Sequence, residues 1–163
     1  FRALNPNGSV PVLVDGDFVL WESNAIVRYL CDQYGTGDWK LPTPPQMALA
    51  GQWMDWYLTS LHPPMTALFW QLIRTDPAMR DAEKVKTAIA EGTKLWEILD
   101  QHLASRTFIM GERPSMADIP LGSSAYRWHA MDFARPDLPN LRAWWDRLVE
   151  RRAYRENVMI SLT

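Results

Sequence analysis

Two short stretches near the start of the chain hold the residues best suited to binding chemistry. In Asn5-Pro6-Asn7-Gly8-Ser9-Val10-Pro11-Val12-Leu13, a Val-Pro bond stands at the mouth of an apolar run. The tertiary amide of an X-Pro bond lowers the cost of the cis form to about 0.5–1 kcal/mol, and a cis bond here would leave the N–H and C=O of Val10 facing outward. Eleven residues after Pro11, Glu22-Ser23-Asn24-Ala25-Ile26 places a carboxylate and a hydroxyl where helical spacing begins. The Glu22 carboxylate suits an ammonium group. The Ser23 hydroxyl, with the free N–H groups of a helix start, suits a carboxylate. Val10, Pro11, Glu22 and Ser23 together read as half of a site for a small zwitterionic peptide. Alone, Glu22-Ser23 would read as an acidic residue before an ordinary helix cap; the Val-Pro segment beside it favours binding.

Other chemistry finds little support. His62, His102 and His129 are scattered, and none stands at a metal-ligand spacing with another His or with Cys31, so no metal is expected. Cys31 is the single cysteine, which excludes an internal disulfide, and its place on the apolar side of a predicted helix marks an inert, buried thiol. There is no Gly-rich phosphate loop and no Gly-x-Ser-x-Gly elbow. Ser115-Met116-Ala117-Asp118 reads as a structural N-cap, with Asp118 reaching back to the Ser115 N–H, and carries no assigned chemistry.

The elements that position these residues follow from pattern. Val12-Leu13-Val14, Asp15-Gly16 and Asp17-Phe18-Val19-Leu20 predict a hairpin with a type I′ turn. Ser23 should cap a helix with Ile26, Val27, Leu30 and Cys31 on its inner face, ending near Gly35. Two strands and one helix cannot cover both faces of a sheet, so residues 1–36 read as the remainder of a larger α/β unit. Residues 37–43 form a Gly- and Pro-containing linker, and residues 44–163 are all helical in texture. There, Thr43-Pro44-Pro45-Gln46 predicts a capping box opening a long helix through Met47, Ala50, Met54, Tyr57 and Leu61. His62-Pro63-Pro64 should kink or break it before Met65, Leu68, Phe69 and Leu72 resume the spacing. Asp76-Pro77 should open a second long helix along Val85, Ile89, Gly92, Trp96, Leu99 and Leu103, packed on the first. Further helices are expected from Ser115, where Pro120 should distort the first turn, from Leu138, and over a short polar stretch from Arg151 to Asn157.

Composition sets the limits. The chain has 163 residues, 47% of them hydrophobic, enough for a sizeable core. A net charge of −2 with Arg and Lys interleaved among Asp and Glu offers no basic face to nucleic acid or anionic lipid. No apolar run approaches the roughly 20 residues of a membrane span, and Phe1-Arg2-Ala3-Leu4-Asn5 lacks a signal-peptide layout, so a cytoplasmic protein is expected. With no initiator Met and a start directly on a turn and strand, the sequence reads as cut at its N-terminus. Nine Trp and eight Met, most at helical spacing in apolar stripes, read as core and domain interface.

In order and separation, several segments resemble the soluble, bacterial-type glutathione S-transferases over essentially the whole chain. Asn5-Pro6-x-Gly8-x-Val10-Pro11 is similar to the cis-proline segment of that family, and Glu22-Ser23-x-Ala25-Ile26 to its γ-glutamyl-binding turn. Gly111 with Pro114-Ser115-x-Ala117-Asp118-Ile119 resembles its helical-domain capping motif, and Arg135-Pro136-x-Leu138-Pro139-Asn140-Leu141 with Trp144 is typical of bacterial members. The resemblance implies a thioredoxin-like domain, represented by two strands and a helix and lacking its first β-α-β unit, followed by an all-α domain. It implies glutathione as co-substrate, conjugated as its thiolate to a hydrophobic small-molecule electrophile, in a cytoplasmic homodimer with a detoxification role. Val10 would pair through its backbone with the cysteinyl unit, Pro11 would fix the geometry, Glu22 would face the ammonium group, and Ser23 would hold the γ-glutamyl carboxylate. The group that activates the sulfur would lie upstream of Asn5, outside the 163 residues. The electrophile site would border the first long helix of the helical domain, making Trp53, Trp56 and Tyr57 its candidates. A non-catalytic interaction module, or a reductase, isomerase or dehalogenase on the same scaffold, stays open. Exposed strand faces would make the chain as given poorly soluble or weak in binding glutathione.

Overall fold

A computed structural model describes residues 1–162. Its strands are β1 (Val12–Asp15) and β2 (Phe18–Trp21), followed by α1 (Ser23–Gln33). The helical part comprises α2 (Pro44–Trp56), α3 (His62–Phe69), α4 (Ala82–Leu103), α5 (Asp118–Ala130), α6 (Pro139–Val149) and α7 (Arg152–Asn157).

β1 and β2 form an antiparallel pair with Val12 opposite Trp21 and Asp15 opposite Phe18. The turn lies one residue later than expected: the loop is Gly16-Asp17, so Val14 pairs with Val19 instead of Asp17. Only Gly16 there has positive φ, 59°, where a type I′ turn needs two such residues. Asp15 stays in the strand because its carboxylate accepts hydrogen bonds from Tyr29, at 2.7 Å, and Tyr34 of α1. Those bonds hold the Asp15 pKa low and push that of Tyr29 up to about 12. At the end of α1, Gly35 passes so close to the chain that an added Cβ would sit 2.1 Å from the Cys31 carbonyl oxygen. Cys31 is buried, and burial raises its thiol pKa.

The core lies among α2 to α6, where Trp96, Trp128, Trp144, Met54, Leu61 and Leu121 have almost no exposed surface. Trp96 and Trp128 pack with ring centroids 5.9 Å apart, joining α4 to α5. The helix carrying Pro63 and Pro64 neither breaks nor stops. Tyr57–Leu61 widens into a π-helical turn, with the His62 N–H bonding the Tyr57 carbonyl, and α3 continues from it. Proline lacks a donor for the i−4 carbonyl and its ring clashes there; a widened turn accommodates both. A second π turn, Trp70–Arg74, ends α3.

Asp76-Pro77 opens only a single 3-10 turn, Pro77–Met79. α4 starts later, where the Asp81 side chain accepts from the N–H groups of Glu83 and Lys84, both at 3.1 Å. α5 likewise begins at Asp118 rather than just after Ser115, and Pro120 causes no break there. It occupies the first turn, where N–H groups have no intrahelical partner, and the Met116 carbonyl accepts from Ile119 instead, at 3.4 Å. No helix among the described residues is long and apolar enough to cross a membrane.

Candidate functional site

The segment before the Val10–Pro11 bond is shaped by a buried side chain. Asn5 Nδ2 donates to the Ser9 carbonyl at 2.7 Å, and its Oδ1 accepts from the Asn7 N–H at 3.0 Å. Gly8, with φ 67°, donates to the Asn5 carbonyl at 2.9 Å and turns the chain back. Asn5 therefore templates the loop from within, a role the sequence reading missed although an Asn-Pro start is a turn signal. The Val10–Pro11 bond is cis. Val10 is 82% exposed, and its N–H and C=O are unpaired among the described residues.

Past the hairpin, Glu22 has φ 75°, the one positive φ outside glycine among the described residues. Such a conformation costs on the order of 1–3 kcal/mol and persists where the surroundings enforce it, often at a ligand site. It makes Glu22 the residue flanking α1 and Ser23 the first helical residue, which corrects the expectation that Ser23 caps the helix. No side chain caps α1 at all. Its first backbone bond runs from Ile26 N–H to the Glu22 carbonyl at 2.9 Å, so the N–H groups of Ser23, Asn24 and Ala25 have no helical partner. Beside them, Glu22 and Ser23 are exposed. The result is an open, electropositive helix end with a hydroxyl and a carboxylate at its rim.

Two further residues fix that helix end to the helical part. Asn24, which is buried, donates through Nδ2 to the Met54 carbonyl at 2.9 Å. Arg28 donates to the Gly51 carbonyl at 3.3 Å and pairs with Asp55. The signal for Asn24 was a polar residue standing among the apolar positions of α1.

Among the electrophile candidates, Trp53 packs edge-on against Trp56 at 5.2 Å and against His102 of α4 at 4.5 Å. Tyr57 lies in the π turn, its hydroxyl 3.1 Å from His62 Nδ1, and His62 Nε2 is 3.2 Å from the Thr66 hydroxyl. Burial raises the Tyr57 pKa, opposed by the nearby Arg127 charge. Burial lowers that of His62, and Arg127 reinforces the shift. Arg127 lines a cavity of about 450 Å³ between the end of α3, α5 and the C-terminal segment, together with Phe69, Arg74 and Tyr126 among others; Trp53, Trp56 and Tyr57 are not among its lining residues. Nothing in the spacing of Arg74 and Arg127 foretold that they would meet.

Ser115 and Asp118 lie inside the helical part. The Asp118 carboxylate accepts from the Ser115 N–H at 2.7 Å and Ser115 hydroxyl at 3.0 Å through Oδ2, and from the Ile109 N–H at 3.0 Å and Trp144 Nε1 at 2.8 Å through Oδ1. Four donors on one buried carboxylate tie the 108–111 turn, the start of α5 and α6 together. Burial raises its pKa and the four hydrogen bonds oppose that shift.

A strand pair entered through a cis-proline and followed by a helix with free N–H groups at its start, joined to an all-helical part, sets the class of the fold as a small α+β unit with an appended helical domain. Comparison with known proteins gives the family. Residues 1–33 match the glutathione S-transferase N-terminal domain, and residues 61–152 the glutathione S-transferase C-terminal domain. Glutathione S-transferase GstB of Escherichia coli is 37% identical over 165 residues, spanning 100% of this chain and 79% of that protein. Glutathione S-transferase F10 of Arabidopsis thaliana is 32% identical, spanning 96% and 76%. The theta class glutathione S-transferase of Xanthomonas axonopodis pv. citri, solved with glutathione bound, superposes with a TM-score of 0.95 at 46% identity over 99% of this chain and 78% of that one. The chain belongs to the glutathione S-transferase family.

Proposed function

We propose that the chain binds glutathione across Val10, Pro11, Glu22 and Ser23 and that the enzyme conjugates its thiolate to a hydrophobic electrophile. The observation that carries this reading is the uncapped start of α1, where Ser23 presents a free hydroxyl and N–H beside a residue held at φ 75°. A γ-glutamyl carboxylate there would accept charge-assisted hydrogen bonds from both donors, with the helix dipole aligned to it. The Glu22 carboxylate would face the ammonium group. The exposed N–H and C=O of Val10 would pair with the cysteinyl unit as an added strand does. These contacts hold the peptide and leave its sulfur free to react. In conjugation the thiolate sulfur forms a bond to carbon: with an aryl halide the halide departs with the C–halogen electron pair, and with an enal the electron pair of the C=C bond passes to the enolate, which takes a proton from solvent.

Trp53, Trp56 and Tyr57 are proposed as the border of the electrophile site on the helical side, with Tyr57 within reach of the Arg127 charge. The homodimer and the cytoplasmic setting are proposed on family membership alone. The test is a mass-spectrometric search for glutathione adducts when the intact enzyme is given glutathione and a panel of aryl halides and enals. Adduct formation above the uncatalysed rate is expected. No adduct, together with no retention on immobilised glutathione, would defeat the reading; retention without adducts would favour a binding module.

A further inference from the structure

The 450 Å³ cavity has a composition that selects among electrophiles. Its size is that of a site for a small organic molecule. One wall is the Phe69 ring, and both guanidiniums of the cavity lie over it: Arg127 at 4.9 Å from the ring centroid and Arg74 at 5.6 Å. Val158, Ile160 and Leu162 give the C-terminal wall an apolar surface. Tyr126 pins that wall by donating its hydroxyl to the Ile160 carbonyl at 2.6 Å.

Among the described residues, no carboxylate lines this cavity and neither Arg74 nor Arg127 has an acidic partner within salt-bridge distance. With their guanidiniums over the ring and no acidic partner among the described residues, the two side chains have N–H groups that suit a carboxylate or sulfonate. The link to the rest of the helical side is electrostatic: the Arg127 charge acts on the hydrogen-bonded pair Tyr57 and His62, although neither lines the cavity.

We propose that this cavity takes the electrophile and that Arg74 and Arg127 set its class: a compact, partly aromatic molecule bearing an anionic substituent, with the ring against Phe69 and the anion on the guanidiniums. This rests on the conjugation reading above. In the reaction of an aryl chloride of this kind the glutathione sulfur forms the new C–S bond, chloride leaves with the C–Cl electron pair, and the thiol proton passes to solvent.

The test compares a chloronitrobenzoate with its uncharged amide, which share one reactive carbon. The intact enzyme is expected to favour the acid in kcat/KM, and Arg127→Gln to lower that preference by about tenfold, Arg74→Gln by a similar or smaller factor. Arg127→Lys should retain part of it. Arg142→Gln, on α6, which contributes no lining residue, should leave the acid-to-amide ratio unmoved. A ratio unchanged in both cavity variants would overturn the proposal while conjugation itself stood. If neither compound is conjugated, the failure is of the conjugation reading. Calorimetric binding of the chloronitrobenzoate to the same variants then decides the cavity's preference: weakened binding in Arg127→Gln supports it, and unchanged binding rejects it.

Discussion

Ser23 shows how a residue's type foretold its neighbourhood but not its posture. A Ser after a Glu at the start of helical spacing suggests a cap, yet the positive φ of Glu22 moves the flanking position back by one and leaves the Ser23 hydroxyl idle. A positive φ at a glutamate has no signature in a single sequence, because nothing in the residue favours it. One consequence separates binding from stability. Ser23→Ala is expected to raise the KM for glutathione by about tenfold, the worth of one charge-assisted hydrogen bond, while the melting temperature stays within about 1 °C of the parent. Asp118 is the opposite case. Asp118→Ala strands four donors and should cost about 3 kcal/mol or more in denaturant unfolding. His129 gives the pH dependence. Burial, with Arg135 and Arg142 adding to it and Asp146 opposing, lowers its pKa from 6.5 to about 4. Acidification through that window protonates the unfolded state first, so stability falls. His129→Phe keeps a ring against Trp145, 4.2 Å away in the parent. It should reduce the loss of stability between neutrality and about pH 4.5 by on the order of 1 kcal/mol, allowing for partial exposure.

At the scale of elements, apolar periodicity located the helices well and their ends poorly. The stripe Val85, Ile89, Gly92, Trp96, Leu99 and Leu103 lies along α4 as its spacing implied, because burial of that face dominates over local propensity. Starts moved wherever a second candidate cap stood nearby: Asp81 caps α4, and Asp76 only a 3-10 turn. One cap was invisible in sequence, since Asp100 of α4 accepts from the Leu141 N–H at 2.8 Å and from Asn140 Nδ2 at 3.1 Å, closing the start of α6 from 41 residues away. Gly122 marks where α5 meets α6 and α7. An added Cβ would sit 2.9 Å from Leu148 Cδ1 and 3.3 Å from the Tyr154 ring. The Gly122 carbonyl also holds the Tyr154 hydroxyl at 2.7 Å. Gly122→Ala should destabilise by about 1–3 kcal/mol despite the better helix propensity of Ala, as measured by thermal or urea unfolding.

For the molecule as a whole, the two parts differ in how well they cover themselves. The helical part buries its large side chains, whereas the strand pair leaves Val14, Phe18, Val19 and Trp21 exposed. Prepared as these 163 residues, the chain is expected to self-associate through the face that Val14, Val19 and Trp21 share, and Val14→Lys with Val19→Lys should reduce light scattering several-fold. The binding site and the electrophile cavity belong to different parts, so their relation depends on the clamp of Asn24 and Arg28 onto α2. The order of motifs in the sequence pointed to this arrangement. The meeting of Arg74, Arg127 and Phe69 depended on how α3 packs on α5, which no local pattern encodes. The most direct test of glutathione binding is a titration followed by backbone amide NMR. The amides of Val10, Ser23, Asn24 and Ala25 should shift most and saturate together; a saturating response confined to other residues, with these four unmoved, would contradict it.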